Sequence, residues 1–354
     1  MNNLLKSDKN DMFSILKDYP NDIQKARKMY DNPEIGDIKD FQSIVICGMG
    51  GSAIAGEIVG SLINYHTEGT PNQPTVFINR EYTLPHFVNE NTLVILSSYS
   101  GNTEETLFSA LEAVQLTKKI IVITTGGELG NFAQKNNLPV IELPVGFQPR
   151  CALVYALIAL LNIIAKLGIS IQKAGLDKYL DKIEKNATEK MAVYSDINDD
   201  NIALQIARKL QNKIPVIYSE GKYLGAISLR WRQQIHENAK QICFGNTLPE
   251  MNHNEINSWN FPKQLIAQSQ VVFLRDEHIE NKRMGLRFTA FTKILNDEHI
   301  ELIQISPEGD SLLERLFDLI YLGDWVSYYL AMLNETDPTD IPFILYLKDY
   351  LGKN

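Results

Sequence analysis

The first half of the chain alternates short apolar runs with longer stretches of helical periodicity. A short apolar run fits a buried strand, and the intervals between these runs are long enough for a helix. Strands separated by helices predict a parallel sheet with right-handed crossover connections. The predicted strands are 43–47, 75–78, 92–97, 119–124 and 140–143.

The second half of the chain returns to the same order of strand, turn and helix. Strands are predicted at 214–219, 271–274 and 301–305, and helices at 223–235 and 281–295. A repeated order of this kind indicates two related units. We therefore predict an α/β fold of two similar three-layer domains, each with a mainly parallel sheet flanked by helices.

Helical segments precede, connect and follow the two predicted sheets. An amphipathic pattern over 11–30 predicts a helix interrupted near Pro20, and the apolar segment 151–165 predicts a buried helix between the domains. A charged helical bridge is predicted over 172–212, and helices are predicted at 311–333 and 342–351. The predicted organisation is a helical extension at 1–40, a first domain at 41–150, a helical connection at 151–212, and a second domain with the C-terminal helices at 213–354.

A hydroxyl-rich turn follows the third predicted strand. Ser98, Ser100 and Thr103 stand between the end of the apolar run and the start of a helical pattern. A helix start offers unpaired backbone N–H groups and a partial positive charge, so hydroxyls placed there suit a phosphate. Ordinary N-capping is the alternative, although one cap needs one hydroxyl and this turn has several.

The glycine-rich segment after the first strand allows a second interpretation. Its pattern Gly48-x-Gly50-x-x-Ala53 also fits a dinucleotide fingerprint, which needs an acid near the end of the next strand. That strand ends in Asn79-Arg80, although an acid follows directly and an arginine suits a 2′-phosphate. The neighbouring hydroxyls match a phosphomonoester better, so we favour a sugar phosphate and keep a dinucleotide as the alternative.

Two further segments carry weaker signals. The turn 124–127 contains two glycines at the end of the fourth strand, where parallel sheets bind ligands, but it is equally a plain turn. Arg150 follows Pro149 and is suited to bidentate contact with a phosphate or a sugar oxygen. An ordinary surface arginine is the alternative for that position.

Composition and charge argue against several classes of function. The chain has 34 Lys and Arg against 43 Asp and Glu, a net charge of −9, and no basic cluster interleaved with aromatics, so nucleic acid is not an expected partner. The apolar segment 151–165 is shorter than the roughly 20 residues of a membrane span, so no membrane partner is expected. An early charged N-terminus and three scattered cysteines predict a cytoplasmic protein.

Five motifs taken together resemble a known family. They are GMGGSAIAG at 48–56, SYSGNTEET at 98–106, QPR at 148–150, ENAK at 237–240 and NHNE at 252–255. The set resembles the sugar isomerase (SIS) domain, and specifically the bifunctional phosphoglucose/phosphomannose isomerase family. The resemblance implies an enzyme that interconverts glucose 6-phosphate and mannose 6-phosphate with fructose 6-phosphate through a cis-enediol. No metal or cofactor is expected, because no pair of histidines has ligand spacing and enediol chemistry with a positioned base does not require a metal.

The resemblance also implies a set of site residues. The residues implied for phosphate binding are Gly51, Ser52, Ser98, Ser100 and Thr103. Arg150 is expected beside the sugar at its reacting end. Glu237 is implied as the base that moves a proton between C1 and C2, and His253 and Lys348 are implied to assist ring opening. The histidine is expected to come from the neighbouring subunit, so the expected assembly is a homodimer.

The chemistry of these residues agrees with the implied roles. Isomerisation needs a carboxylate to remove a proton beside a carbonyl, and a histidine titrates in the range useful for ring opening. A solvated helix-end acid is the alternative for Glu237, a loop-capping residue is the alternative for His253, and Glu105 in the phosphate turn is the rival base. Thr339 is hypothesised to leave room near C2 for mannose 6-phosphate. A non-catalytic sugar-phosphate sensor and an isomerase for another sugar phosphate stay open.

Overall fold

A computed structural model describes residues 4–70, 73–169, 171 and 175–353. Its internal contacts divide the chain into two compact units. The first unit takes Tyr19–Asn186 and Ser311–Glu314, and the second takes the described residues up to Asp18, then Ala187–Asp310 and the chain from Arg315 onward. The domain boundaries predicted from the sequence stay a prediction.

The first unit is built on a five-stranded parallel sheet with the order β2-β1-β3-β4-β5. Cys47 at the end of β1 pairs with Asn79 of β2, and Ser98 at the end of β3 pairs with Thr124 of β4. The carboxyl ends of these strands therefore lie along one edge of the sheet. The strands are β1 (Ser43–Cys47), β2 (Thr75–Asn79), β3 (Thr92–Ser98), β4 (Ile120–Thr124) and β5 (Val140–Glu142), and all five were predicted.

The helices of the first unit cover this sheet. Helix α6 is buried over most of its length because its residues are almost all apolar, as the sequence predicts, and it groups with the first unit. The Tyr155 hydroxyl on α6 donates to Asp22 Oδ1 on α2 at 2.7 Å. The helices are α2 (Tyr19–Tyr30), α3 (Gly50–Thr67), α4 (Glu104–Leu116), α5 (Gly127–Lys135) and α6 (Leu153–Lys166).

The second unit has a four-stranded parallel sheet with the order β7-β6-β8-β9. Its strands are β6 (Ile214–Glu220), β7 (Phe244–Leu248), β8 (Ser269–Leu274) and β9 (Leu302–Ile305). Strand β7 was not predicted, because it is a half-exposed edge strand that contains Gly245. A Cβ at Gly245 would lie 2.1 Å from the Ile217 carbonyl oxygen, so the close pairing of β7 with β6 requires glycine.

Aromatic side chains form much of the core of the second unit. The Phe291 ring centroid lies 5.4 Å from that of Tyr218 and 5.5 Å from that of Phe273. Helix α7 (Leu176–Tyr194) leads from the first unit into the second. The other helices are α1 (Met12–Lys17), α8 (Ile202–Leu210), α9 (Gly221–Ala239), α10 (Lys263–Gln268), α11 (Lys282–Asp297), α12 (Leu312–Leu333) and α13 (Pro342–Gly352).

The predicted fold class is confirmed, since both units place helices around a parallel sheet. Helices α1 and α2 break at Asp18, two residues before the proline that the sequence identified as an interruption. Within the described residues, no helix is both long enough and apolar enough to cross a membrane.

Candidate active site

The turn after β1 brings helix α3 to the carboxyl edge of the first sheet. Gly50 adopts a positive φ of 49°, and a Cβ at Gly48 would lie 2.8 Å from the Ser97 carbonyl oxygen. Met49 is the N-cap residue of α3, and in the described structure no side chain caps this helix start. The backbone N–H groups of Gly50 and Gly51 are therefore available to an anion.

The turn after β3 clusters the predicted hydroxyls. Ser98 Oγ lies 2.8 Å from Thr103 Oγ1 and accepts a hydrogen bond from the Gly101 backbone N–H at 3.1 Å. Ser100 Oγ accepts from the Asn102 N–H at 3.2 Å. Thr103 is the N-cap residue of α4, yet its side chain does not cap the helix. Simple N-capping is therefore the wrong interpretation of Thr103, and this second helix start is also open to an anion.

The third glycine-bearing turn braces the hydroxyl turn. Thr125 donates from its backbone N–H and from its hydroxyl to the Tyr99 carbonyl, at 3.0 and 2.7 Å. Asn102 Oδ1 accepts from the Glu128 N–H at 3.1 Å and so occupies the start of α5. Gly101 lies so close to Gly126 that a Cβ there would be 1.9 Å from the Gly126 oxygen. The turn 124–127 thus supports the neighbouring turn.

Arg150 is buried beside the same edge. It is only 4% exposed, so the surface alternative is wrong for this arginine. The segment before it is tied to the hydroxyl turn by Tyr99, whose hydroxyl donates to the Pro144 carbonyl and accepts from the Phe147 N–H, both at 2.9 Å. Burial raises the pKa of Tyr99, which keeps that hydroxyl protonated. A Cβ at Gly51 would lie 3.5 Å from the Pro149 oxygen, so this segment also approaches the start of α3.

Glu237 lies in the last turn of α9 and is half-buried. The helix ends at Ala239, and its C-cap residue Lys240 adopts a positive φ of 51°. Lys240 Nζ folds back to donate to the carbonyl oxygen of Glu237 at 2.8 Å. A lysine at a helix C-terminus satisfies carbonyls that lack intrahelical partners. The backbone that carries Glu237 is therefore well fixed.

His253 ends a short 3₁₀ segment, Glu250–His253, and is exposed. Among the described residues, its side chain makes no hydrogen bond or ion pair. The next segment is anchored by Glu255, whose carboxylate accepts from the Tyr218 hydroxyl and from Asn246 Nδ2, the latter at 2.7 Å. The histidine is thus displayed at the surface by a fixed loop.

Lys348 lies on α13, a helix exposed along its whole length. Thr339, which precedes α13, is buried at 6% exposure. Its hydroxyl accepts from Asn10 Nδ2 at 2.6 Å and donates to Asp337 Oδ1 at 2.7 Å. The Thr339 hydroxyl therefore both donates and accepts a hydrogen bond within the second unit.

Comparison with known proteins decides the family. Residues 199–351 match the model of the bacterial phosphoglucose isomerase C-terminal SIS domain. The chain is 38% identical over 352 residues to the bifunctional phosphoglucose/phosphomannose isomerase of Caldicellulosiruptor bescii, covering 97% of this chain and 99% of that protein. A relative of the same name from Aquifex aeolicus is 35% identical over 319 residues, covering 90% and 93%. The chain belongs to the bifunctional phosphoglucose/phosphomannose isomerase family.

The fold of this family member extends to more distant proteins. The hypothetical protein TT0462 from Thermus thermophilus superimposes with a TM-score of 0.74 at 15% identity, covering 99% of this chain and 92% of that chain. That likeness concerns the fold alone. Membership in the bifunctional isomerase family confirms the resemblance inferred from the five motifs and makes the protein a phosphosugar isomerase.

In this bifunctional isomerase family member, the predicted site residues fall into two groups. The six residues predicted to bind the phosphate and the sugar lie in the first unit at the carboxyl edge of its sheet; they are Gly51, Ser52, Ser98, Ser100, Thr103 and Arg150. The three predicted catalytic residues, Glu237, His253 and Lys348, lie in the second unit. Among the described residues, no group of three or more His, Cys, Asp or Glu side chains is arranged to hold a metal ion.

Two supporting residues of the site, Tyr99 and Glu255, were not predicted from the sequence. Tyr99 lies inside the motif 98–106, but nothing in a single sequence shows that its hydroxyl reaches residues 144 and 147. Glu255 lies inside the motif 252–255, and its partners Tyr218 and Asn246 come from other strands. The sequence offered one signal for each residue. Tyr99 is an aromatic in a hydroxyl-rich turn, and Glu255 is an acid two residues after a candidate histidine.

Proposed function

We propose that the protein interconverts glucose 6-phosphate and mannose 6-phosphate with fructose 6-phosphate by proton transfer between C1 and C2 of the open-chain sugar. The observation that carries the proposal is the pair of uncapped helix starts, α3 and α4, beside the Ser98–Thr103 hydroxyl pair. Such a site suits a doubly charged phosphomonoester. Membership in the bifunctional isomerase family supplies the reaction.

The inert end of the substrate binds in the first unit. The phosphate accepts hydrogen bonds from the hydroxyls of Ser52, Ser98, Ser100 and Thr103 and from the backbone at Gly51. Arg150 lies at the reacting end, where its fixed charge stabilises the oxyanion of the enediolate. A buried arginine serves this purpose well, because low local dielectric strengthens its field and its position needs no rearrangement during the reaction.

The proton transfer is assigned to the second unit. Glu237 removes the proton from C2 of the aldose and returns it to C1, which passes the substrate through a cis-enediol. His253 and Lys348 act earlier, as the acceptor and donor pair that opens the cyclic sugar. A neutral imidazole has one nitrogen that donates a proton and one that accepts a proton, which suits this role. These steps require no metal or cofactor.

We propose a homodimer in which His253 is donated to the active site of the neighbouring subunit. Two features of the second unit support this assembly. His253 is exposed on an anchored loop, and α13 carries apolar side chains without burying them, with Phe343 at 88% and Tyr346 at 70% exposure. Exposed apolar surfaces of this kind are typical of interfaces. A cytoplasmic location is proposed with it, in keeping with three cysteines that form no disulfide in the described structure.

Turnover of separate hexose phosphates in D2O tests the proposal. Glucose 6-phosphate and mannose 6-phosphate should each yield fructose 6-phosphate, with deuterium incorporated at C1 because the transferred proton exchanges with solvent. Unphosphorylated glucose is the control and should not react, because the phosphate site cannot hold it. Activity on glucose 6-phosphate alone would remove the mannose half of the proposal, and tight binding of both sugars without turnover would favour the sensor.

A further inference from the structure

Helix α9 buries a stripe of polar side chains on one face. Arg230, Gln234 and Asn238 follow each other at intervals of four, so they share one side of the helix. Their exposures are 3%, 3% and 1%. Polar groups at this depth destabilise the fold unless they are hydrogen-bonded. The stripe therefore requires partners on the element packed against it.

Those partners lie on α12. The Asp324 carboxylate accepts two hydrogen bonds from Arg230 Nη2, at 2.7 and 2.9 Å, and one from Gln234 Nε2 at 2.8 Å. Ser327 Oγ accepts from Asn238 Nδ2 at 3.0 Å and donates to the Asp324 carbonyl at 2.9 Å. The five side chains form a continuous buried ladder between the two helices.

The ladder ends beside Glu237. Asn238, its last member on α9, is the next residue along the chain. The following carbonyl, that of Ala239, accepts from Asn334 Nδ2 at 3.1 Å, and the Glu237 carbonyl accepts from Lys240 Nζ at 2.8 Å. The backbone at Glu237 and in the two residues after it is thus held by directional bonds.

Stability alone does not account for this arrangement. Well-packed apolar residues would hold two helices together at least as strongly as a buried ion pair. Apolar contact between these helices is already present, since Gly323 of α12 leaves the space that the Trp231 indole fills. What hydrogen bonds add is direction, because they fix how far α9 is rotated and translated against α12.

We propose that Asn238, Ser327 and Asp324 are positioning residues that hold Glu237 in the orientation needed for proton transfer. The inference rests on the proposed function, in which Glu237 is the base. A displaced base loses rate steeply, since misplacement by about 1 Å costs up to ~100-fold. Substrate binding depends on residues of the first unit and is not sensitive to this ladder.

The central test is Asn238→Ala in the full-length protein. We expect kcat to fall about 10-fold or more while the KM for fructose 6-phosphate changes less than about twofold. Ser327→Ala removes the same hydrogen bond from the α12 side and should reproduce the loss, so the test survives if one variant folds poorly. Both are assayed well below the melting temperature measured for each variant.

Asn201→Ala is the matched control. Asn201 is fully buried in the same unit and donates to the Tyr194 and Asp196 carbonyls at 2.8 and 2.9 Å and to the Tyr329 hydroxyl of α12 at 3.2 Å, so none of these partners lies on α9. It should lower the melting temperature at least as much as Asn238→Ala and leave kcat within about twofold. A comparable fall in kcat for Asn201→Ala would show general destabilisation and overturn the positioning role.

A double-mutant cycle with Glu237→Gln separates the two proposals. Without a base to position, Asn238→Ala should change the residual rate by less than about twofold, whereas independent effects would multiply. Multiplied losses, or a wild-type kcat for both Asn238→Ala and Ser327→Ala, would overturn the positioning role while Glu237 stays the base. Near-normal turnover of Glu237→Gln would instead overturn the proposed base, and the positioning role with it.

Discussion

The first helix after the first strand begins differently in the two sheets. In the first unit, α3 starts after Met49 and is uncapped in the described structure. In the second unit, the Glu220 carboxylate caps α9 by accepting from the Lys222 and Tyr223 N–H groups at 2.7 and 2.9 Å. A carboxylate of the protein itself therefore satisfies the first N–H groups of α9, whereas the first N–H groups of α3 stay available to a ligand.

A second pair of helices repeats the contrast. The start of α4 lacks a side-chain cap, whereas Asn281 caps α11 by accepting from the Met284 N–H at 3.0 Å. The two sheets therefore differ in whether a side chain of the protein caps the helix starts that follow their strands. An open helix start carries unpaired donors that a phosphate can satisfy, while a capped one contributes to stability.

The largest expected effect is that of Glu237→Gln. This substitution removes the proton transfer assigned to the second unit and leaves the phosphate site of the first unit intact. Turnover should fall about 100-fold or more, as expected for a lost general base, while KM changes little. Steady-state rates with fructose 6-phosphate measure both quantities.

Glu105→Gln is the matched control, since Glu105 is the rival carboxylate in the first turn of α4. It should lower turnover by less than about threefold, because its role is to support a binding turn and not to move a proton. A large loss in Glu105→Gln together with near-normal turnover in Glu237→Gln would move the base into the first unit.

Thr103→Val removes one hydroxyl from the open helix start with little change in shape. The KM for fructose 6-phosphate should rise about 10-fold, as expected for a lost hydrogen bond to a charged group. The free energy of unfolding should fall by no more than about 1 kcal/mol, through the lost contact with the Ser98 hydroxyl. Substrate titration and denaturant unfolding measure the two effects on the same variant. An unchanged KM would remove Thr103 from the phosphate site.

Glu220→Ala is the counterpart of Thr103→Val, because it alters a capped helix start instead of an open one. Because its carboxylate caps α9, the free energy of unfolding should fall by about 1–2 kcal/mol, and KM should stay within about twofold. If Glu220→Ala raised KM while Thr103→Val destabilised the fold by more than about 1 kcal/mol, the contrast between a capped and an open helix start would be wrong.

Local pattern explains why most of the fold was predictable. The buried strands of the first sheet are continuous apolar runs, and their predicted ends agree with the structure to within one residue. Strand β7 was missed because it lies at an edge and its glycine is dictated by the neighbouring strand, which a local pattern does not reveal. Helix α10 was also missed, because six residues are too few to show a clear period.

The candidate site was predictable where chemistry and local position coincide. Ser98, Ser100 and Thr103 share one turn, so a phosphate-binding role could be predicted from their spacing alone. Glu237 and His253 carry no such local signal and were identified only through the resemblance to a family. The partner of Asn238 in the ladder, Ser327, lies 89 positions further along the chain, so only the folded structure brings the two together.

The smallest expected effect concerns the three thiols. Burial raises the pKa of Cys47 and of Cys243 to about 12, so both thiols stay protonated and unreactive at pH 8. Cys151 is partly exposed and follows Arg150, so it should be the thiol that reacts with a thiol reagent, and Cys151→Ser should abolish fast labelling.

Fructose 6-phosphate should slow that labelling about two- to fivefold, because a ligand held beside Arg150 restricts access. Protection of Cys243, with Cys151 unaffected, would place the substrate at the second sheet and reverse the contrast between the two units.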